Sequence, residues 1–174
     1  SEAERVREEL DKIVEDLHRT SEDVKRRDEE LLKDLERRHK EVKEEDEKIL
    51  KDLRDSGIPK DLLREITKLS RDSKKYLEEN LRRSRKLSRD SKEKLEELNR
   101  RARDVIRRVR ETVDSGDDRE RVLEELRKTV TEMKKRHRDI LRESEELARE
   151  SKENVDRVLE ESRRRAEEIK RRAK

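Results

Sequence analysis

Histidine and serine side chains recur along this chain at helical spacing, and together they could support nucleophilic catalysis or metal binding. His39 and His137 each fall among hydroxyl-bearing residues, and Ser21 and Ser91 are expected beside His137. A Ser/His pair needs a group that orients the base, an oxyanion hole and a cleft for substrate. A metal site needs three or four ligands within about 2–2.3 Å of one point. The elements that carry these side chains decide whether either chemistry is possible.

Those elements are long helices built on an 18-residue repeat. Residues 68–79 read KLSRDSKKYLEE and residues 86–97 read KLSRDSKEKLEE, so ten of the twelve positions match. Eighteen residues make five turns at 3.6 residues per turn, so equivalent positions return to one face of a straight helix. The apolar residues keep this phase in all three thirds of the chain, which predicts an apolar stripe on each helix.

Composition narrows the function classes. The 174 residues are 59% charged and 26% hydrophobic, with no Cys, which excludes disulfides, thiolate nucleophiles and thiol-ligated metals. The phased apolar residues favour folded helices over the disorder that such charge could otherwise indicate. No apolar run approaches the roughly 18 to 20 residues of a membrane span. We therefore expect a soluble protein without a membrane partner.

The small excess of basic over acidic residues does not indicate nucleic-acid binding. The net charge is +3, but 53 Lys and Arg residues are interleaved with 50 Asp and Glu residues. Phosphate binding favours a stripe of one sign, whereas alternating charges support solvent-exposed helix faces. The basic run at the C-terminus complements the dipole of the last helix. We expect no nucleic-acid partner.

Capping and stop signals place the helix ends. Ser1 to Glu4 and Asp117 to Glu120 have the capping-box pattern, Gly57 and Gly116 suit the ends of helices, and Pro59 suits a first helical position. These signals predict helices at about 2–55, 59–114 and 118–173. Short loops make neighbouring helices antiparallel. The predicted fold is all-α: a single domain, residues 1–174, forming an elongated up-down-up antiparallel three-helix bundle of nearly straight helices of about 54 residues.

Polar residues interrupt the apolar stripes, and counting from the loops predicts which of them share a height along the bundle. Asp28 is expected near Ser84, Ser88 and Ser144, and Asp46 near Ser70 and Ser162. Ser21 is expected near Ser91 and His137, and His39 near Ser73, Tyr76, Ser151 and Asn154. Unpaired buried polar atoms cost on the order of 1–3 kcal/mol, so matched heights indicate pairing. The predicted structural network comprises Ser21, Asp28, His39, Asp46, Ser70, Ser73, Ser84, Ser88, Ser91, His137, Ser144, Ser151 and Ser162.

The same geometry argues against chemistry at these positions. A filled three-helix core leaves no substrate cleft, and backbone N–H groups inside helices are already bonded. His39 and His137 are expected roughly 27 Å apart along the axis, and His18 lies on the flank of its stripe. We therefore predict no enzyme activity, metal, cofactor or small-molecule substrate. A groove left by the small Ser and Ala side chains is the alternative.

The whole chain resembles de novo designed helical bundles of the parametric kind with buried hydrogen-bond networks. The resemblance depends on matched helix lengths, paired Ser-Gly loops, capping boxes, charged surfaces, and Ser, Asn, Asp and His confined to core layers. It implies a structural or assembly role and a synthetic protein with no native location, soluble in the cytoplasm when expressed recombinantly. It implies no catalytic residues.

Two function hypotheses follow from these observations. In the first, the chain is a monomeric scaffold whose buried polar layers fix the alignment of the helices. In the second, it is an interaction module that pairs with itself or accepts a further helix. Apolar surface outside the three stripes distinguishes them, and Tyr76 and Leu147 are the candidates for such surface.

Overall fold

A computed structural model describes residues 1–116 and 118–174 and contains three long α-helices. The helices are α1 (Glu2–Asp55), α2 (Lys60–Ser115) and α3 (Arg119–Arg172), and each of the three contacts both of the others. No strand occurs among the described residues. The all-α three-helix bundle is thus confirmed, and every helix boundary lies within one residue of its prediction. The helices form because strong helix formers fill their surfaces and one apolar stripe per helix can be buried.

The capping signals explain where α1 and α2 begin. The Ser1 hydroxyl accepts a hydrogen bond from the Glu4 N–H at 3.4 Å, and the Glu4 carboxylate lies 3.7 Å from the terminal ammonium. These are the two contacts of a capping box. Pro59 precedes α2 instead of starting it, because α2 begins at Lys60 and the Pro59 carbonyl accepts the Leu63 N–H at 3.0 Å.

Both loops contain a glycine in the left-handed region. Gly57 has a φ of +73° and Gly116 a φ of +82°. The predicted second capping box begins at Asp117, which lies outside the described residues. The Asp118 carbonyl accepts the first helical bond of α3, from the Val122 N–H at 3.2 Å. Asp118 itself has a φ of +41°.

Contacts within the chain group into two compact units, each containing part of every helix. The first unit comprises Ser1–Glu29 and Ser88–Glu145, and the second comprises Glu30–Leu87 and Glu146–Lys174. The expectation of a single domain stays a prediction. In the first unit a continuous apolar cluster includes Val6, Leu10 and Leu123, which are almost completely buried. The core of this unit therefore comes from α1 and α3 together with the C-terminal half of α2.

The second unit contains two apolar clusters. Leu53, Ile66 and Ile169 belong to one of them, and Ile58 in the loop packs against it. Val42 and Val155 belong to the other and are completely buried. Ile49 packs against both clusters, so it links them.

Ion pairs give the direction of the helices within each unit. In the second unit Arg38 of α1 pairs with Asp156 of α3 at 2.7 Å, 118 positions later in the chain. Glu9 and Arg127 in the first unit pair across the same separation of 118 residues. Asp16 and Lys134 in the first unit, and Glu45 and Arg163 in the second, are also 118 positions apart, so α1 and α3 run in the same direction within each unit. In the first unit α2 runs opposite to α1, because the residue numbers of two pairs, Arg7 with Asp114 and Asp11 with Arg110, have the same sum. Among the described residues, no helix has a stretch apolar and long enough to cross a bilayer.

Candidate functional site: buried polar clusters

In the second unit, four polar side chains from all three helices form one hydrogen-bonded cluster. The Asn80 amide nitrogen of α2 lies 3.1 Å from His39 Nε2 of α1 and 3.0 Å from the Ser151 hydroxyl of α3. The Ser84 hydroxyl lies 2.8 Å from the Ser151 hydroxyl. His39, Asn80 and Ser151 are buried and Ser84 is half-buried. We call these four residues the His39 cluster.

The partners of the His39 cluster fix the positions of its protons. His39 Nδ1 lies 2.8 Å from the Leu35 carbonyl, which can only accept, so Nδ1 carries the ring proton. In the neutral ring Nε2 is then an acceptor for the Asn80 amide. The Ser84 hydroxyl donates to the backbone carbonyl of Asn80 at 2.8 Å. The Ser151 hydroxyl is therefore the donor in its hydrogen bond with the Ser84 hydroxyl. Every donor is matched to an acceptor only while His39 is neutral.

In the first unit, a second buried histidine bonds to a threonine. His137 Nδ1 lies 3.0 Å from the Thr20 hydroxyl, which donates its own proton to the Leu17 carbonyl at 2.9 Å. The ring N–H of His137 must therefore donate to Thr20. Beside them, the Ser21 hydroxyl donates to the Asn99 side-chain carbonyl at 3.0 Å. These contacts connect α1 to α3 and α1 to α2.

A buried carboxylate forms the next cluster of the first unit. The Ser91 hydroxyl donates to Asp28 Oδ2 at 2.7 Å, and the Ser144 hydroxyl lies 3.1 Å from Ser91. Because the Ser91 proton goes to Asp28, Ser144 is the donor to Ser91. The other carboxylate oxygen, Asp28 Oδ1, is buried without a hydrogen-bond partner. Ser88, expected beside Asp28, is half-buried in this unit.

Asp46 in the second unit is the other buried carboxylate with an unpartnered oxygen. The nearby Ser162 side chain lowers the pKa of Asp46, while Asp46 Oδ1 has no hydrogen-bond partner. Asp46 and Ser162 line a cavity of about 470 Å³ that Ser70 and Ser73 of α2 also line. Ser70 and Ser73 therefore border the same cavity as Asp46.

The structure corrects the expected pairing between α1 and α2. Asp28 bonds to Ser91 and not to Ser84 or Ser88, and His39 bonds to Asn80 and not to Ser73 or Tyr76. Ser21 likewise bonds to Asn99, not to Ser91. Each observed partner lies about one to two turns further along α2 than predicted. The pairing of Ser84 is corrected as well, because it bonds to Ser151.

The direction of the side chains explains the sense of this displacement. Each Cα–Cβ bond tilts toward the N-terminus of its own helix. In an antiparallel pair the side chains therefore lean in opposite directions, and the partner of a given residue is displaced toward the C-terminus of its helix. In a parallel pair the tilts agree, so counting from the loops succeeds for α1 and α3. The contact between Asp46 and Ser162 has the predicted partner.

Burial shifts the pKa values of three groups in these clusters. Desolvation lowers the pKa of His39, opposed by its hydrogen bond to the Leu35 carbonyl. Desolvation also lowers the pKa of His137. The pKa of Asp46 is raised by desolvation, against the smaller opposing effect of the nearby Ser162 side chain. All three groups are thus held toward the neutral form.

The arrangement favours hydrogen bonding over proton-transfer chemistry. His137 donates to the Thr20 hydroxyl, which is the reverse of a base that activates a nucleophile. In the His39 cluster an amide separates the ring from the serine hydroxyls. In the part of the chain that the structure describes, no three His, Asp or Glu side chains converge to hold a metal ion. The third histidine, His18, is exposed.

The predicted network omits three residues that the structure places in these clusters. Asn80 and Asn99 could have been included, because a poor helix former replaces leucine at equivalent positions of the repeat. Leu62 and Leu98 flank Asn80 at a separation of eighteen residues. Thr20 gave no such signal, because it lies beside the apolar stripe. Its role depends on how closely α3 approaches.

Comparison of the chain with known protein families, curated proteins and solved structures finds no match.

Proposed function

We propose that this chain is a designed structural scaffold without natural biochemical activity, in which buried polar clusters fix the alignment of the three helices. The observation that carries the proposal is that side chains from different helices meet in specific donor–acceptor pairs inside the core. Buried polar groups of this kind cost stability and specify the alignment of helices. Its resemblance to designed bundles supports the further proposal that the chain is of synthetic origin.

The repeat makes such specification necessary. Apolar positions recur every eighteen residues, so one helix could slip by a whole repeat and still bury an apolar stripe. A slip of α1 by one repeat would place Leu10 or Asp46 where Asp28 now accepts the Ser91 hydroxyl. With Leu10 there, the Ser91 hydroxyl would lose its carboxylate acceptor, at a cost of about 1–3 kcal/mol. With Asp46 there instead, the Asp28 carboxylate would occupy the place of Leu10, which lies buried in an apolar cluster. The buried residues therefore disfavour a slip in either direction.

Three surface ion pairs between α1 and α3 follow the same logic. Glu9 pairs with Arg127, Arg27 with Glu145 at 3.6 Å, and Glu45 with Arg163. The α1 residues are eighteen positions apart, and the sign of the charge reverses in the middle pair. A slip by one repeat would therefore bring like charges together. Each exposed pair contributes only about 0.2–1 kcal/mol, so the buried clusters dominate.

The experiment replaces the polar positions with apolar ones. The variant combines Asp28→Leu, Asp46→Leu, Ser70→Ala, Ser84→Ala and Ser88→Ala. We expect a higher melting temperature, because buried carboxylates are removed, and a broader distribution of oligomers and alignments. Size-exclusion chromatography with light scattering measures the distribution. A single sharp monomer peak for this variant would contradict the proposal.

A charge variant serves as the matched control for alignment. Exchanging Arg27→Glu together with Glu145→Arg keeps the pair but gives all three pairs the same polarity. We expect the free energy of unfolding of this variant to stay within about 1 kcal/mol of the original value. Distances between spin labels on α1 and α3 then report slippage. The combined polar variant should show more than one distance, whereas the charge variant should show one.

The alternative is an interaction module that binds a further helix or a second copy. Tyr76 favours it, because this side chain is 45% exposed and lines the cavity of the second unit. Leu147, the other candidate, is half-buried. Light scattering at micromolar concentration separates the two functions. A mass near 21.3 kDa supports the scaffold, and a multiple of it supports the module.

A further inference from the structure

The second unit contains a cavity with the size and lining of a small-molecule site. Its volume is about 470 Å³, within the range of roughly 300–1,000 Å³ that ligand pockets occupy. Leu53, Ile66 and Ile169 contribute apolar walls, and Asp46 and Ser162 contribute polar groups. An apolar pocket with a few convergent polar groups is the usual form of a binding site.

The Asp46 carboxylate lies at the polar end of this cavity, and the protein leaves one of its two oxygens without a hydrogen-bond partner. Asp46 is 9% exposed, and its Oδ1 atom has no hydrogen-bond partner. A buried carboxylate oxygen without a donor destabilises the folded state. Ser70, Ser73 and Ser162 line the same space and can also accept hydrogen bonds. The cavity therefore matches a ligand that brings hydrogen-bond donors to Asp46.

The charge balance indicates that this donor group is cationic. Arg157 and Arg165 also border the cavity, but Arg157 is exposed and Arg165 pairs with Glu161 at 2.8 Å. Asp72 adds a further negative charge to the lining. Asp46 is thus the buried charge that lacks a counter-ion. An ammonium group can supply both the charge and up to three N–H donors.

We propose that the cavity of the second unit binds small amines, with the ammonium group on Asp46 and an apolar body against Leu53, Ile66 and Ile169. This site goes beyond the scaffold function, since alignment of the helices does not require a ligand. The structure also assigns a position for the apolar body next to Ala166, a small residue that lines the cavity.

Binding is measured with cyclohexylmethylamine, which is protonated at neutral pH, and with the neutral isostere cyclohexylmethanol. We expect the amine to cause saturable NMR shifts at Ser73, Asn154 and Ala166 at millimolar concentration. We expect the alcohol to bind about tenfold more weakly. Equal affinities for the two compounds, or no saturable shift with the amine, would overturn the proposal.

Two variants of the full chain test the assignment of the residues. Asp46→Asn should weaken binding of the amine by about tenfold, because the amide is neutral. Ala166→Leu should also abolish binding by filling the cavity, and it leaves Asp46 in place. Asp28→Asn is the matched control in the first unit, because Asp28 is likewise buried with an unpartnered oxygen. Wild-type affinity in both Asp46→Asn and Ala166→Leu, or equal losses in Asp28→Asn and Asp46→Asn, would overturn the proposal.

Discussion

The Asn80 amide donates to Nε2 of His39 at 3.1 Å and thereby requires His39 to be neutral. The other ring nitrogen already donates to the Leu35 carbonyl. A second ring proton would point at the donor group of Asn80, so the cluster could accept it only after rearrangement. One amide contact thus connects the fold of the second unit to the protonation state of a histidine.

Stability should decrease as the pH falls from about 7.5 to about 5. Burial lowers the pKa values of His39 and His137 below the ordinary 6.5, so the unfolded chain binds protons that the folded chain does not. The stability that the two neutral histidines contribute is therefore complete above about pH 6.5 and is lost progressively as the pH falls below it. Urea denaturation at several pH values measures this change.

Asp46 opposes this loss of stability at acidic pH. Because the pKa of Asp46 is raised, the folded chain binds this proton at a higher pH than the unfolded chain does. Acidification toward the ordinary pKa of 3.8 therefore removes a destabilising charge from the folded state.

The double variant His39→Gln, His137→Gln should flatten the dependence of stability on pH between pH 7.5 and 5. His18→Gln, at an exposed position, should leave it intact. A loss of the pH dependence in His18→Gln would contradict this assignment.

Replacing Asn80 with alanine should lower the free energy of unfolding by about 1–3 kcal/mol. The change removes the donor to His39 and to the Ser151 hydroxyl, and both partners are buried. Asn99→Ala is the control, because it has the same effect on helix propensity and removes the acceptor of one Ser21 bond. Chemical denaturation compares the two. An equal or larger loss in Asn99→Ala would show that Asn80 is not the more important amide.

Replacing Leu53 with alanine should destabilise the chain by about 2–5 kcal/mol. Leu53 is 1% exposed and packs in an apolar cluster of the second unit, so truncation leaves a cavity. Leu147→Ala, at a half-buried position, should cost less. Thermal and urea denaturation measure both losses, and similar losses for the two variants would be inconsistent with this packing.

Replacing Gly57 with alanine should cost about 1–2 kcal/mol. Its φ of +73° is unfavourable for a residue with a Cβ atom, although no atom lies within 4 Å of where that Cβ would be. The cost is therefore conformational and not steric. Gly57→Asn should cost less, because asparagine tolerates this region. If alanine and asparagine give the same melting temperature, the backbone explanation fails.

The fold could be predicted because its signals are local and repeated. Ser1 with Glu4, Gly57 and Gly116 mark helix ends through contacts within a few residues, and each boundary was placed within one residue. The apolar phase is likewise a property of each helix alone. Three stripes of sufficient width leave few ways to bury themselves, so the bundle follows from the sequence.

The partners inside the core needed the tertiary structure. Counting from the loops placed Asp46 beside Ser162 because α1 and α3 are parallel and their side chains lean the same way. The same counting failed for Asp28 and His39 across to α2, where the observed partners lie about one to two turns beyond the predicted ones, in the direction in which antiparallel side chains lean. The sequence by itself determined most of the residues that turn inward, although not Thr20. Only the packing of three helices decided which of them bond, and that Asp46 borders an open cavity, because both depend on distances between helices that no local pattern contains.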